Sequence, residues 1–267
     1  MSHSHFQRIL TALVLLPFLG IALFYGDPAL STGVTIVAVL GLLEFYAMFW
    51  PGRSRAGWKI YGVAMAAGIV WAPLAWPGTV LVCLTMLGAA LAFLLAHDRG
   101  RSPSAFQDSQ IFLFGLLYLP FLLRLLRNMS FMEIMLVLLV TFAADTGAYY
   151  AGSHFGGPKI WPSISPKKTW SGSLGGLLSS VIVAVGFGLA AGASPWAHFA
   201  FLGAAMNIAA QTGDFFESAL KRSRDVKDSG RILPGHGGML DRIDSLLFAL
   251  PLYCALAAVH PFFPATL

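Results

Sequence analysis

The chain has 267 residues, of which 57% are hydrophobic and only 11% charged, against about 25% charged in a typical soluble domain. Mean hydropathy is +0.73. This composition excludes a soluble globular domain and indicates a polytopic membrane protein. Net charge is +5 and the isoelectric point is about 9.4. In a membrane protein that excess of Lys and Arg reads first as a positive-inside bias, with no nucleic-acid partner implied. Cys83 and Cys254 both lie in apolar runs, so they read as small buried hydrophobes and not as a disulfide or metal pair.

A spanning helix needs about 20 mainly apolar residues. Such runs occur near 9–25, 29–50, 60–76, 79–96, 110–126, 131–151, 172–192, 197–217 and 244–263. The expected fold is therefore an all-α polytopic membrane protein of about nine transmembrane helices. The first run lacks a small-x-small cleavage signal before Asp27-Pro28 and is expected to be a retained span. Pro77-Gly78 marks a tight turn, and Pro120 interrupts the fifth run. Residues 1–130 read as scaffold helices with almost no charge in the first four spans beyond Glu44, and 131–267 as the catalytic region of one integral membrane unit.

Lys and Arg gather on one side: Arg8; Arg53, Arg55 and Lys59; Arg99 and Arg101; Lys159, Lys167 and Lys168; then the block Ser218–Asp244. Only Arg124 and Arg127 break the pattern. The polar loops, and any active site they carry, are thus expected at the cytoplasmic face of a bacterial-type inner membrane.

The block Ser218–Asp244 holds six of the 17 basic and four of the 12 acidic residues, a density between apolar runs that needs a chemical explanation. Asp145 sits in the sixth span, where an ionisable group faces either a partner in the bundle or a polar cavity. The following loop, GSHFGGPKIWPSISPKKTWSGSLGG, has the composition of a phosphate-binding surface. Glycines allow close backbone approach, Lys167 and Lys168 supply charge, and Thr169 with nearby serines supplies neutral donors before a helix start expected at Gly172. A solvated basic loop is the plain alternative. Asp214 and Glu217 share one helical face; Glu217 also has Lys221 at i+4, an ordinary ion pair. Gly235, Gly237 and Gly238 surround His236, which lacks partners at zinc-ligand spacing. Asp241 and Asp244 open the ninth helix on one face. One of them could merely cap it; both, together with Asp214, suit a divalent cation such as Mg²⁺, which takes one or two carboxylates plus phosphate oxygens.

The pattern Ser218-x-x-Lys221-Arg222, Lys227-Asp228, Pro234-x-His236-Gly237-Gly238, x-x-Asp241-Arg242-x-Asp244 resembles the signature of the phosphatidate cytidylyltransferase family. Asp145-Thr146-Gly147-Ala148-Tyr149 and Ser165-Pro166-Lys167-Lys168-Thr169 resemble two further family stretches, as does Arg8 followed by Thr11-Ala12. Ser171 stands where many relatives have Glu. The resemblance implies transfer of CMP from CTP to phosphatidate, giving CDP-diacylglycerol and pyrophosphate, with one or two divalent cations, Mg²⁺ first. It implies CTP, phosphatidate and membrane lipids as partners, and a homodimer by resemblance alone. On this reading Asp214, Asp241 and Asp244 hold metal. Lys221, Arg222 and Lys227 neutralise phosphates. Asp228, His236 and Arg242 shape the loop or stabilise charge. Asp145, Lys167, Lys168, Thr169, Ser218, Gly237 and Gly238 line the substrate site. A CTP-dependent lipid-alcohol kinase would instead release CDP and would need a base for its nucleophile. An ion transporter would place its charges near the midplane, commonly within repeats.

Overall fold

The computed structural model describes residue 20 and residues 24–98, 104–230, 232 and 237–264. The first expected span, Arg8, Arg99, Arg101, Pro234, Gly235 and His236 lie wholly or mostly outside the described residues. The described chain is helical, with an isolated β bridge between Lys159 and Thr169.

Helix α1 spans Ala29–Phe49, α2 Ala56–Trp71 and α3 Gly78–Asp98. Helix α4, Ala105–Leu116, continues through a π-helical turn at Leu117–Phe121 and a 3₁₀ turn at Arg124–Asn128. The π turn contains Pro120; proline lacks the N–H that an α ladder needs there, so the helix bulges without ending. Helix α5 is Phe131–Phe155, α6 Trp170–Ala191, α7 Trp196–Ser223 and α8 Leu240–Val259.

Among the described residues, six segments are long and apolar enough to cross a membrane: α1, α3, Ala105–Asn128, α5, α6 and α8. Two of the nine expected spans differ for physical reasons. Helix α2 has 16 residues, about 24 Å at 1.5 Å per residue and short of a hydrocarbon core of about 30 Å. It stops at Trp71 because Ala72 precedes Pro73, which forces Ala72 out of the helical region. Helix α7 is long enough, with 28 residues, but Asn207, Gln211, Asp214, Glu217, Lys221 and Arg222 lower its hydropathy.

The chain folds as two compact units: residues 1–128 with 228–241, and residues 129–227 with 242–267. In the first unit α1 is fixed by aromatic and polar contacts. Tyr46 donates its hydroxyl to the carbonyl of Phe112 at 2.9 Å, and Trp50 donates Nε1 to Asp108 at 3.0 Å. Asp108 also pairs with Arg55 at 2.7 Å.

Arg124 and Arg127, the exceptions to the charge bias, belong to this framework. Arg124 donates to the carbonyls of Ala72 and Pro73 at 3.3 and 2.8 Å. Arg127 donates to those of Val70 and Ala72 and pairs with Asp27 at 2.7 Å. They satisfy carbonyls that α2 leaves open at its C-terminus, where cations are favoured. Their position therefore reports helix capping and not sidedness.

In the second unit α5 begins with a capping box. Ser130 accepts from the N–H of Glu133 at 3.4 Å, and its own N–H donates to Glu133 at 2.7 Å. The same glutamate accepts from Tyr253 on α8 at 2.9 Å. Helices α5 and α6 pack through small residues: a Cβ on Gly175 would lie 2.2 Å from that of Ala151, and one on Gly147 would lie 2.7 Å from the carbonyl of Gly175. In lipid, where burial of apolar surface gives no drive between helices, such close backbone packing is a main source of association.

Candidate active site

The polar groups of the second unit converge where α7 and α8 approach α5. Gly213 makes this possible: a Cβ there would sit 2.4 Å from the carbonyl oxygen of Asp244. The missing side chain lets α7 and α8 touch backbone to backbone, which puts Asp214 beside Asp244. Asp145 lies within electrostatic reach of Asp214, Lys168 and Arg242, and accepts a hydrogen bond from Ser245. Asp244 interacts with both Asp214 and Asp145. Its Oδ1 accepts from the N–H of Ser245 at 2.7 Å. Asp214 pairs with Lys168 through Oδ2, and its Oδ1 accepts from Ser218 at 3.4 Å.

Lys168 reaches this cluster because the loop 156–169 is folded, not merely solvated. Ile160 donates its N–H to Lys168 at 3.2 Å and Trp170 donates to Pro158 at 3.1 Å, closing a hairpin-like turn. Trp161 rests edge-on against Phe215 of α7 at 4.8 Å. The Lys168 ammonium lies 4.2 Å from the centre of the Phe215 ring. Thr169, expected at the substrate, is buried and caps α6. Its Oγ1 accepts from the N–H of Gly172 at 3.1 Å and contacts Ser171 at 3.0 Å. The helix thus starts at Trp170, two residues before the expected Gly172. Ser171 donates to the carbonyl of Gly156, so it closes the same loop.

The basic arm at the end of α7 divides in role. Lys221 pairs with the buried Glu217, the i,i+4 pair expected from spacing. Arg222 donates to the carbonyls of Ile164 and Val226 at 3.4 and 3.3 Å, tying the arm to the 156–169 loop. Lys167, Lys227, Asp228 and Arg242 are exposed. Ser173 donates to Gln211 at 2.6 Å, and Gln211 returns a bond to the Ser173 carbonyl at 3.3 Å, a reciprocal clamp between α6 and α7 that spacing did not reveal.

Asp241, expected as a metal ligand with Asp214 and Asp244, belongs to the first unit. Its carboxylate accepts from the N–H of Ser229 at 3.1 and 3.3 Å and from that of Gly238 at 2.9 Å. Gly237 turns with φ +83° beside it, and a Cβ on Gly238 would lie 2.1 Å from Ser229 Oγ. The carboxylate thus closes the ends of the 229–238 loop upon one another. His236 is outside the described residues.

The donor set can be tested against a divalent cation. Among the described residues, no three His, Cys, Asp or Glu side chains converge at ligating distance. Asp145, Asp214 and Asp244 nevertheless interact electrostatically with one another, with Lys168 and Arg242 as the cations beside them. Their all-oxygen chemistry suits a hard divalent cation, which needs only one or two carboxylates when phosphates supply the remaining oxygens.

The described residues are helical, with six segments long and apolar enough to cross a membrane, and the second unit gathers three carboxylates beside Lys168. The cytidylyltransferase family model matches residues 6–260, and the chain belongs to that family. A Thermotoga maritima protein named phosphatidate cytidylyltransferase is 32% identical over 254 residues, covering 91% of this chain and 93% of that protein. A Brucella suis protein of the same name is 34% identical over 266 residues, covering 94% and 93%. A third, from Bacillus subtilis, is 48% identical over 120 residues, covering 44% of this chain and 45% of its own length.

Proposed function

We propose that this protein is a phosphatidate cytidylyltransferase. It transfers CMP from CTP to phosphatidate, giving CDP-diacylglycerol and pyrophosphate for phospholipid synthesis. The observation that carries the reading is the Asp145–Asp214–Asp244 cluster with Lys168. Near-full-length relatives bearing that name support it.

A phosphate oxygen of phosphatidate forms a bond to the α-phosphorus of CTP while the bond from that phosphorus to the bridging oxygen of pyrophosphate breaks. The nucleophile is already anionic, so no strong base is required. The barrier is repulsion between two polyanions and the in-line alignment they need. Asp214 and Asp244, with Asp145 beside them, are the residues that would hold Mg²⁺. When bound, the cation supplies charge neutralisation for phosphate oxygens. Lys168 and Lys167 contact the triphosphate or the departing pyrophosphate. Arg222, Lys227 and Arg242 neutralise phosphate charge, while Lys221 acts from its pair with Glu217. Ser218 orients Asp214. Thr169 acts indirectly, by shaping the loop that presents Lys168. Asp228, His236, Gly237, Gly238 and Asp241 shape the loop that leads into α8.

The Lys and Arg distribution along the sequence supports a cytoplasmic face for these loops, where CTP is available. The lipid keeps its acyl chains in the bilayer and brings only its headgroup to the site. The test is pyrophosphate release by purified protein in detergent with CTP and phosphatidate. Release should need both substrates, stop with a chelator and return with Mg²⁺. Release without phosphatidate, or unchanged by chelation, overturns the reading.

A further inference from the structure

Glu44 lies within α1, an apolar spanning helix, and carries the only charge in it. It is 4% exposed. Its Oε2 accepts from the N–H of Leu240 at 2.9 Å and from the hydroxyl of Ser229 at 3.3 Å. Two glycines are shaped around it: a Cβ on Gly230 would lie 2.2 Å from Oε1, and one on Gly238 would lie 2.7 Å from Oε2. Oε1 has no hydrogen-bond partner among the described residues. An apolar side chain would cost far less inside this helix than a carboxylate so partnered, so helix stability alone gives no reason for it.

We propose that Glu44 is a positioning residue for the transferase reaction, acting through the 229–240 loop; this rests on the function proposed above. Leu240 contributes the first N–H of α8, so the carboxylate anchors the N-terminus of that helix, where negative charge is favoured. One helical turn later comes Asp244, and between them Asp241 and Arg242. Glu44 and Asp241 together fix both ends of the loop: Glu44 holds the Ser229 side chain and the Leu240 backbone, and Asp241 holds the Ser229 and Gly238 backbones. The scaffold helix thus sets the register of the first turn of α8 without touching a reacting atom.

The test combines kinetics with proteolysis of the full chain in detergent. Glu44→Leu removes the acceptor while suiting the membrane. Gly230→Ala keeps the acceptor but drives a methyl group into it. Both should lower kcat by at least about 10-fold with KM for CTP within about threefold of wild type, since alignment and not ground-state binding is lost. Both should speed tryptic cleavage after Lys227 while the rest of the chain resists. Glu44→Gln keeps one acceptor oxygen and should recover most of kcat and of the protease resistance. If Glu44→Leu fails to fold, Gly230→Ala carries the test. Wild-type kcat in either folded variant, or unchanged cleavage after Lys227, overturns the proposal. A wild-type protein without transferase activity marks the failure of the functional reading, whereas an active wild type with unaltered variants marks the failure of this proposal, so the two are told apart.

Discussion

Gly213→Ala is the most economical perturbation of the candidate site, because it adds one methyl group and alters no charge. The added Cβ would stand 2.4 Å from the Asp244 carbonyl oxygen and 3.2 Å from two carbons of Phe248, where ordinary contact begins at 3.4 Å. The backbone oxygen cannot rotate away as a side chain could, so α7 and α8 must separate by about 1 Å, the shortfall from ordinary packing distance. That shift moves Asp214 away from Asp244, and a misplacement of about 1 Å in a positioned site can cost about 100-fold in rate. Overpacking of this kind also destabilises by about 1–3 kcal/mol, which a chain of this size can survive. The assay is pyrophosphate release at saturating CTP, paired with a melting curve in the same detergent. A folded Gly213→Ala protein with kcat within about threefold of wild type would refute the idea that backbone contact between these helices sets the carboxylate geometry.

Other outcomes follow from the same contacts. Asp214→Asn should lose about 100-fold or more in kcat, since it removes a proposed cation ligand and leaves Lys168 without its partner; pyrophosphate release against Mg²⁺ concentration checks it. Thr169→Val should lower stability by about 1 kcal/mol through loss of the α6 cap, measured by melting, and should reduce kcat because Lys168 is the preceding residue. Arg127→Gln should cost about 1.5–3 kcal/mol through lost charged hydrogen bonds to the α2 carbonyls, with kcat per folded molecule retained. The Arg127 guanidinium beside Asp27 holds its carboxyl below the usual value of 3.8. The pair's contribution is therefore full above that value and is lost as pH falls through the lower folded value. Asp27→Asn should accordingly melt earlier than wild type near neutral pH, and the gap should close in strong acid; because Asp27 is well exposed, the effect is small.

The helical membrane architecture was legible because long apolar runs have few other physical solutions. Helix α2, with 16 residues, and α7, with its polar side chains, fall outside the six long apolar segments, and hydropathy along the sequence does not show where each helix begins and ends. Arg124 and Arg127 misfit the charge rule because a helix C-terminus, invisible in local composition, needed their donors. Within the site, Asp145 and Asp214 stood out as ionisable groups in apolar surroundings, and the Glu217–Lys221 pair followed from i,i+4 spacing. Thr169 caps α6, and because caps and phosphate sites draw on the same residue types, sequence alone does not separate the two roles. Gly213 was unreadable, since a glycine in a helix signals close approach only when the opposing backbone is known. Glu44 is visible in the sequence as a lone charge in an apolar run, but its partners Ser229 and Leu240 lie nearly two hundred residues away, beyond the reach of any local pattern.

The most direct test of the central claim is the fate of the phosphates of CTP. Purified protein is given phosphatidate and Mg²⁺ with CTP labelled at either the α or the γ position. Label at the α position should enter the lipid as CDP-diacylglycerol, while γ label should leave entirely as pyrophosphate. Transfer of γ label to lipid with release of CDP, or no transfer of either label, would contradict it.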